Sequence, residues 1–195
     1  MPPEIEASFA RSCRKRFVMH SRIIAAVIIG GALFWWPIDA IIYRQLPQHI
    51  APTAIWRLVV SLVAALYLLC SRISRLDPYL ELFFAVGVMV NLLTMGYTAG
   101  RMNGLDGPHF HLLYILTLGT VLLPLHLGRR IALTLALSAA ICAGYFLPFP
   151  ANLGSPYLLL SLSFFLCVTL LSVTFGHILF LLLRKNFFQA AQLAE

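Results

Sequence analysis

The chain has 195 residues, of which 61% are hydrophobic and 11% charged, with a net charge of +7 and a mean hydropathy of +0.88. A soluble domain carries roughly 25% charged residues, so this composition excludes one and points to a protein whose outer surface meets lipid. The basic excess is read as a topology signal, with no nucleic-acid partner expected.

Six apolar runs approach or exceed the roughly 20 residues that a spanning helix needs: 21–43, 53–70, 78–99, 108–127, 131–147 and 155–183. None shows the period-two alternation of a β-barrel. The expected fold class is all-α: a polytopic membrane protein, a six-transmembrane-helix bundle whose last helix extends into the cytoplasm. The chain then divides into a basic cytoplasmic segment (1–20), the six-helix domain (21–183) and the start of a cytoplasmic coiled-coil signalling helix (184–195). Of the 14 basic residues, eleven flank the ends that would face one side, and Arg44, Arg57 and Arg101 fall on the other. By the positive-inside rule both termini are cytoplasmic. Arg14, Lys15 and Arg16 could also touch anionic lipid. No cleavable signal peptide is visible. Cys13, Cys70, Cys142 and Cys167 follow no metal or redox spacing and read as packing residues.

In the first span, Gly30 and Gly31 permit close approach of a neighbouring helix or a flat cofactor. Asp39, near the span's outer end, requires a partner, with Arg44 and Arg57 the candidates. His49 lies in the outer loop that follows. Glu81 opens the third span, where the helix dipole and Arg72 or Arg75 favour an anion. The outer half of that span is polar, and polar groups at lipid depth face the bundle interior. A cleft open to the outside is therefore expected, with Asn91, Tyr97, Arg101 and Asp106 as its ligand-binding candidates.

The fourth span carries His109 and His111 at its outer end and His126 at its inner end, about 22 Å apart along a helix. His177 on the sixth span and His20 before the first belong to the inner layer, and His49 to the outer one. Histidine within a span is a functional candidate by default. Two layers of imidazole suit one or two b haems, each iron needing a ligand above and below, with His126 and His177 the inner candidates for the iron. Arginines at both ends are available to the propionates. On this count the chain resembles four-helix cytochromes b, although there two helices each carry an upper and a lower histidine and here only the fourth span does.

The sixth span runs from Tyr157 to Leu183 without an acid, a base or a proline, and the pattern continues past Arg184 and Lys185. Phe180, Leu183, Phe187, Ala190 and Ala194 recur in steps of three and four, the spacing of a coiled-coil seam. A rod of this kind is expected to continue into a further domain beyond Glu195. No GxSxG, P-loop or HExxH motif is present, and no internal repeat suggests a transporter.

The six-span plan, the Gly-Leu-Asp-Gly-Pro-His stretch at 104–109, and the exit Phe-Gly-His-Ile at 175–178 followed by Leu-Arg-Lys-Asn-Phe-Phe at 183–188 and Leu-Ala-Glu at 193–195 carry a family likeness. They resemble the N-terminal membrane anchors of bacterial class III adenylate cyclases and related sensor histidine kinases. The resemblance implies a sensor in the bacterial inner membrane, homodimeric through its sixth helix, that passes a signal to a C-terminal catalytic domain, a cyclase first. The chain itself would then be no enzyme. The alternatives are a b-type cytochrome acting as an electron conduit and a receptor for a small lipophilic ligand feeding a histidine kinase.

Overall fold

The computed structural model describes residues 3–44, 47–101, 120–154 and 158–193. Among them there is no strand, and five helices are long and apolar enough to cross a membrane. They are α1 (Pro3–Ile42), α2 (Ile50–Cys70), α3 (Leu80–Arg101), α4 (Leu127–Phe146) and α5 (Leu158–Gln192). Short 3₁₀ turns at Pro47–His49, Ser74–Tyr79, Thr120–Leu122 and Pro150–Gly154 make the corners. The expected fourth span falls mostly on residues 102–119, outside the described ones.

Antiparallel pairing joins the first three helices. Ser21 Oγ, midway along α1, meets Tyr67 Oη near the end of α2 at 2.5 Å, and Asp39 near the end of α1 meets Arg57 in the first half of α2. The Tyr67 and Phe84 rings pack edge to face at 5.5 Å between α2 and α3. Arg22 donates to the hydroxyl and the carbonyl of Ser71, the C-cap of α2, where a cation suits both the dipole and the unpaired carbonyls.

α3 and α4 run parallel. Glu81 and Arg129, both in first turns, pair at 2.9 Å, and Gly96 lies against Ile141 and Tyr145 much further along. Glu81 therefore pairs with Arg129, not with Arg72 or Arg75 as expected. The end of α3 at Arg101 and the start of α4 at Leu127 therefore lie at opposite ends of this pair.

Gly96 and Gly144 let α3 and α4 touch backbone to backbone. A Cβ on Gly96 would sit 2.6 Å from the Ile141 carbonyl oxygen, and one on Gly144 would collide with the Leu93 carbonyl. Such small-residue contacts bring the two backbones together where Leu92, Met95, Leu137 and Ile141 fill the core. Gly30 and Gly31 differ from expectation: a Cβ at either would meet nothing within 4 Å among the described residues.

α1 is longer than its apolar span. The segment expected as a separate basic tail, 1–20, is helical from Pro3 onward and continuous with the span. Its apolar positions Ile5, Phe9, Cys13 and Phe17 recur every four residues; the first three cover α5, and Phe17 packs on Phe84 of α3. Phe9 contacts Phe180, Phe187 and Phe188 with ring centroids 5.4–5.8 Å apart, and Glu6 pairs with Arg184 at 3.2 Å. Both termini of the described chain therefore lie at the basic end of the bundle.

α5 is unbroken over 35 residues, about 52 Å long, against about 30 Å for a hydrocarbon core. The helix passes through Arg184 and Lys185 without a kink residue. Its expected seam is partly taken within the same chain, since Phe180 is buried and packs on Phe9 together with Phe187. Ala194 lies outside the described residues. A second row, Leu171, Phe175, Ile178 and Leu182, has the same spacing of four, three and four, and each of its side chains is about half exposed.

Candidate functional site: a buried arginine clamped on the exit helix

Arg130 stands in the first turn of α4, where the helix dipole opposes a cation. The local chain compensates. The 3₁₀ turn Thr120–Leu122 and the extended residues before His126 leave carbonyls pointing inward. Arg130 Nη1 donates to the Thr120 carbonyl at 2.8 Å and Nη2 to the Leu123 carbonyl at 2.5 Å. The residue is 1% exposed, its Nε has no hydrogen-bond partner, and among the described residues no carboxylate pairs with it.

The guanidinium also lies across Gly176 of α5, closely enough that a Cβ there would overlap it. One turn earlier, the hydroxyls of Ser172 and Thr120 meet at 3.1 Å. The corner before α4 is thus keyed to α5 at two successive turns. The arrangement holds no nucleophile or acid–base pair. It fixes the rotation and height of α5, because turning that helix by one residue, about 100°, replaces Gly176 by a side chain under the guanidinium.

A second buried charge sits at the opposite end. Asp39 Oδ2 accepts from Arg57 Nε at 2.5 Å, with side chains 5% and 2% exposed, and the Arg57 guanidinium lies 4.8 Å from the Trp56 ring centre. Of the two partners expected for Asp39, Arg57 is the one that meets it. Arg57 Nη2 has no hydrogen-bond partner.

The residues expected to line an outer cleft are not brought together. Asn91 is buried, its Oδ1 unpartnered, and faces Ala25, Val63 and Ala64 across a small gap toward α1 and α2. Tyr97 lies on a different face, its ring tilted against Phe149 at 5.3 Å. Arg101 is exposed, and Asp106 lies outside the described residues.

The histidines also separate. His109 and His111 lie outside the described residues. His49 is the N-cap residue of α2, with its ring 5.8 Å from Tyr43. His126 is exposed, in extended backbone before α4, so it does not continue a helical face from the fourth span; its ring centre lies 6.0 Å from Phe180. His20 and His177 are half-buried, each with a buried Nδ1 that lacks a partner. Their donor chemistry suits a haem iron, but the notch in α5 beside His177, where a flat ring could lie, is filled by the Arg130 guanidinium. A ring held by His177 would have to lie away from that notch. A reduced-minus-oxidised band of b type in the purified protein that disappears in His177→Ala would support the haem reading, and a colourless protein would end it.

No family model, no curated protein and no solved structure matches the chain. Sequence reasoning noticed Arg130 only as one of the basic residues, and Gly176 only within the exit motif Phe-Gly-His-Ile. The available signal was a lone glycine one turn from Ser172 in a largely apolar span.

Proposed function

We propose that the protein is a homodimeric membrane sensor anchor with both termini on the cytoplasmic side, in which the exit helix α5 carries a signal to a catalytic domain beyond Glu195. The observation that carries the reading is the Arg130 clamp on Gly176 of an unbroken helix about 24 Å short of its end at Gln192. A glycine notch holding a guanidinium is either engaged or not, and a two-position element is what a switch needs. A bias of about 1–3 kcal/mol between the positions is an ordinary allosteric coupling.

The twin helix pairs through Leu171, Phe175, Ile178 and Leu182, because the Phe180 and Phe187 row is occupied by Phe9 of the same chain. Adenylate cyclase is the first output, on the resemblance of the exit helix, and a histidine kinase the second. Membranes carrying the intact gene product are assayed for conversion of ATP to cyclic AMP and for histidine phosphorylation. The reading expects one of them, altered in rate by Gly176→Leu. Neither activity in any condition, or a gene that stops at Glu195, would sink it.

A further inference from the structure

The aromatic contact between the two ends of the chain leaves a cleft of about 360 Å³ beside it, within the range of about 300–1,000 Å³ typical of small-ligand sites. Its walls are of two kinds: Phe9, Leu183 and Phe187 are apolar, while Ser12, Arg16 and Asn186 are polar. The nearby acids do not neutralise this region. Glu6 is engaged by Arg184, and among the described residues no carboxylate pairs with Arg16, Arg14, Lys15 or Lys185. The cleft lies where the apolar run of α5 gives way to Arg184 and Lys185. On the α1 side, Ser12 and Arg16 continue at helical spacing into Met19 and Ile23, both about half exposed; on the α5 side, Leu183 continues into the exposed Leu179. A cationic cleft therefore opens directly onto two apolar stripes.

That sequence of surfaces, a positive polar pocket followed by bare hydrocarbon along the same grooves, matches one amphiphile. We propose that the cleft between the first turns of α1 and the last turns of α5 holds the phosphate head of an anionic phospholipid, with its acyl chains along Met19, Ile23 and Leu179. Arg16 is the main phosphate ligand, with the Ser12 hydroxyl and the Asn186 amide as further donors. The site rests on the reading that the helices span a bilayer with their basic end at the headgroups, and it does not need the dimer. A protein that failed to enter a bilayer would contradict that reading before the site was tested.

Cys13 lines the same cleft and serves as the reporter. The full chain with Cys70, Cys142 and Cys167 changed to alanine is placed in nanodiscs of phosphatidylcholine containing increasing phosphatidylglycerol, and alkylation by an uncharged maleimide is followed. Phosphatidylglycerol is expected to slow the reaction at Cys13. Arg16→Gln raises the content needed for half protection roughly fivefold, the effect of one basic residue at an anionic surface. Arg75→Gln, at the same end but outside the cleft, leaves it unchanged, and a thiol introduced by Ser74→Cys shows no protection. Equal rates in the two lipids would overturn the proposal, as would Arg75→Gln matching Arg16→Gln. Protection by inorganic phosphate in phosphatidylcholine alone would assign the cleft to a soluble anion. Protection that tracks protein density would assign it to a second copy, and either result rejects the lipid.

Discussion

Asp39→Ala is expected to cost about 3–5 kcal/mol of stability, the largest effect of any single substitution considered, because it strands the Arg57 guanidinium in the interior with no counter-charge. Both partners are almost fully buried, and Arg57 already has one nitrogen without a hydrogen-bond partner, so the bundle holds no ready substitute for the carboxylate among the described residues. Removing both charges is a different experiment. In Asp39→Leu combined with Arg57→Met, apolar side chains of similar volume replace the pair, and most of the loss is recovered. Thermal unfolding of the reconstituted protein, followed by helical circular dichroism, reads both variants. If the single variant melts with the unaltered protein, the pair is open to water and the burial described above is wrong.

Gly144→Val is expected to destabilise by at least about 1–3 kcal/mol, the usual cost of forcing atoms into a closed contact. The new side chain has no room: the Leu93 carbonyl and the Tyr97 amide nitrogen stand where its first carbon would be. These are backbone atoms of a packed helix, which cannot turn aside as a flexible side chain can. The parallel pair α3 and α4 must separate, and with it the Glu81 and Arg129 ends that set its register. Gly30→Ala provides the contrast, because a Cβ there meets none of the described residues within 4 Å and alanine is the better helix former by about 1 kcal/mol. Opposite signs at the two glycines, in the same melting experiment, distinguish close helix contact from a general intolerance of added volume.

Much of the helical plan was legible from residue patterns. The runs 53–70, 78–99 and 131–147 match α2, α3 and α4 to within a few residues, since a span of apolar side chains bounded by arginine or proline leaves few alternatives. Asp39 announced its need for a cation, and Arg57 was one of two candidates. What the sequence hid was three-dimensional. The repeat Ile5, Phe9, Cys13 and Phe17 is a clear helical stripe, but it lies among charges, and the charges directed attention to topology. Its first three members cover the expected coiled-coil face of α5 from within the chain, and the row left exposed lies on a different face of the helix. Arg130 was hidden for another reason. A basic residue at a span's end satisfies the positive-inside rule wherever its side chain points, so only the carbonyls of Thr120 and Leu123 and the bare surface of Gly176 show that it turns inward. Asn91 and Tyr97 are both polar and close in sequence, yet six residues along a helix turn them about 120° apart, onto different faces.

The central claim is that α5 is a rod paired with its own copy through the row that the chain leaves bare. Disulfide cross-linking in native membranes, scanning single cysteines from position 171 to 189 in an otherwise cysteine-free chain, tests it most directly. The account predicts covalent dimers for Phe175→Cys, Ile178→Cys and Leu182→Cys, with Phe180→Cys and Leu183→Cys silent. Dimers centred on 180, 183 and 187, or none at any position along the helix, would contradict it.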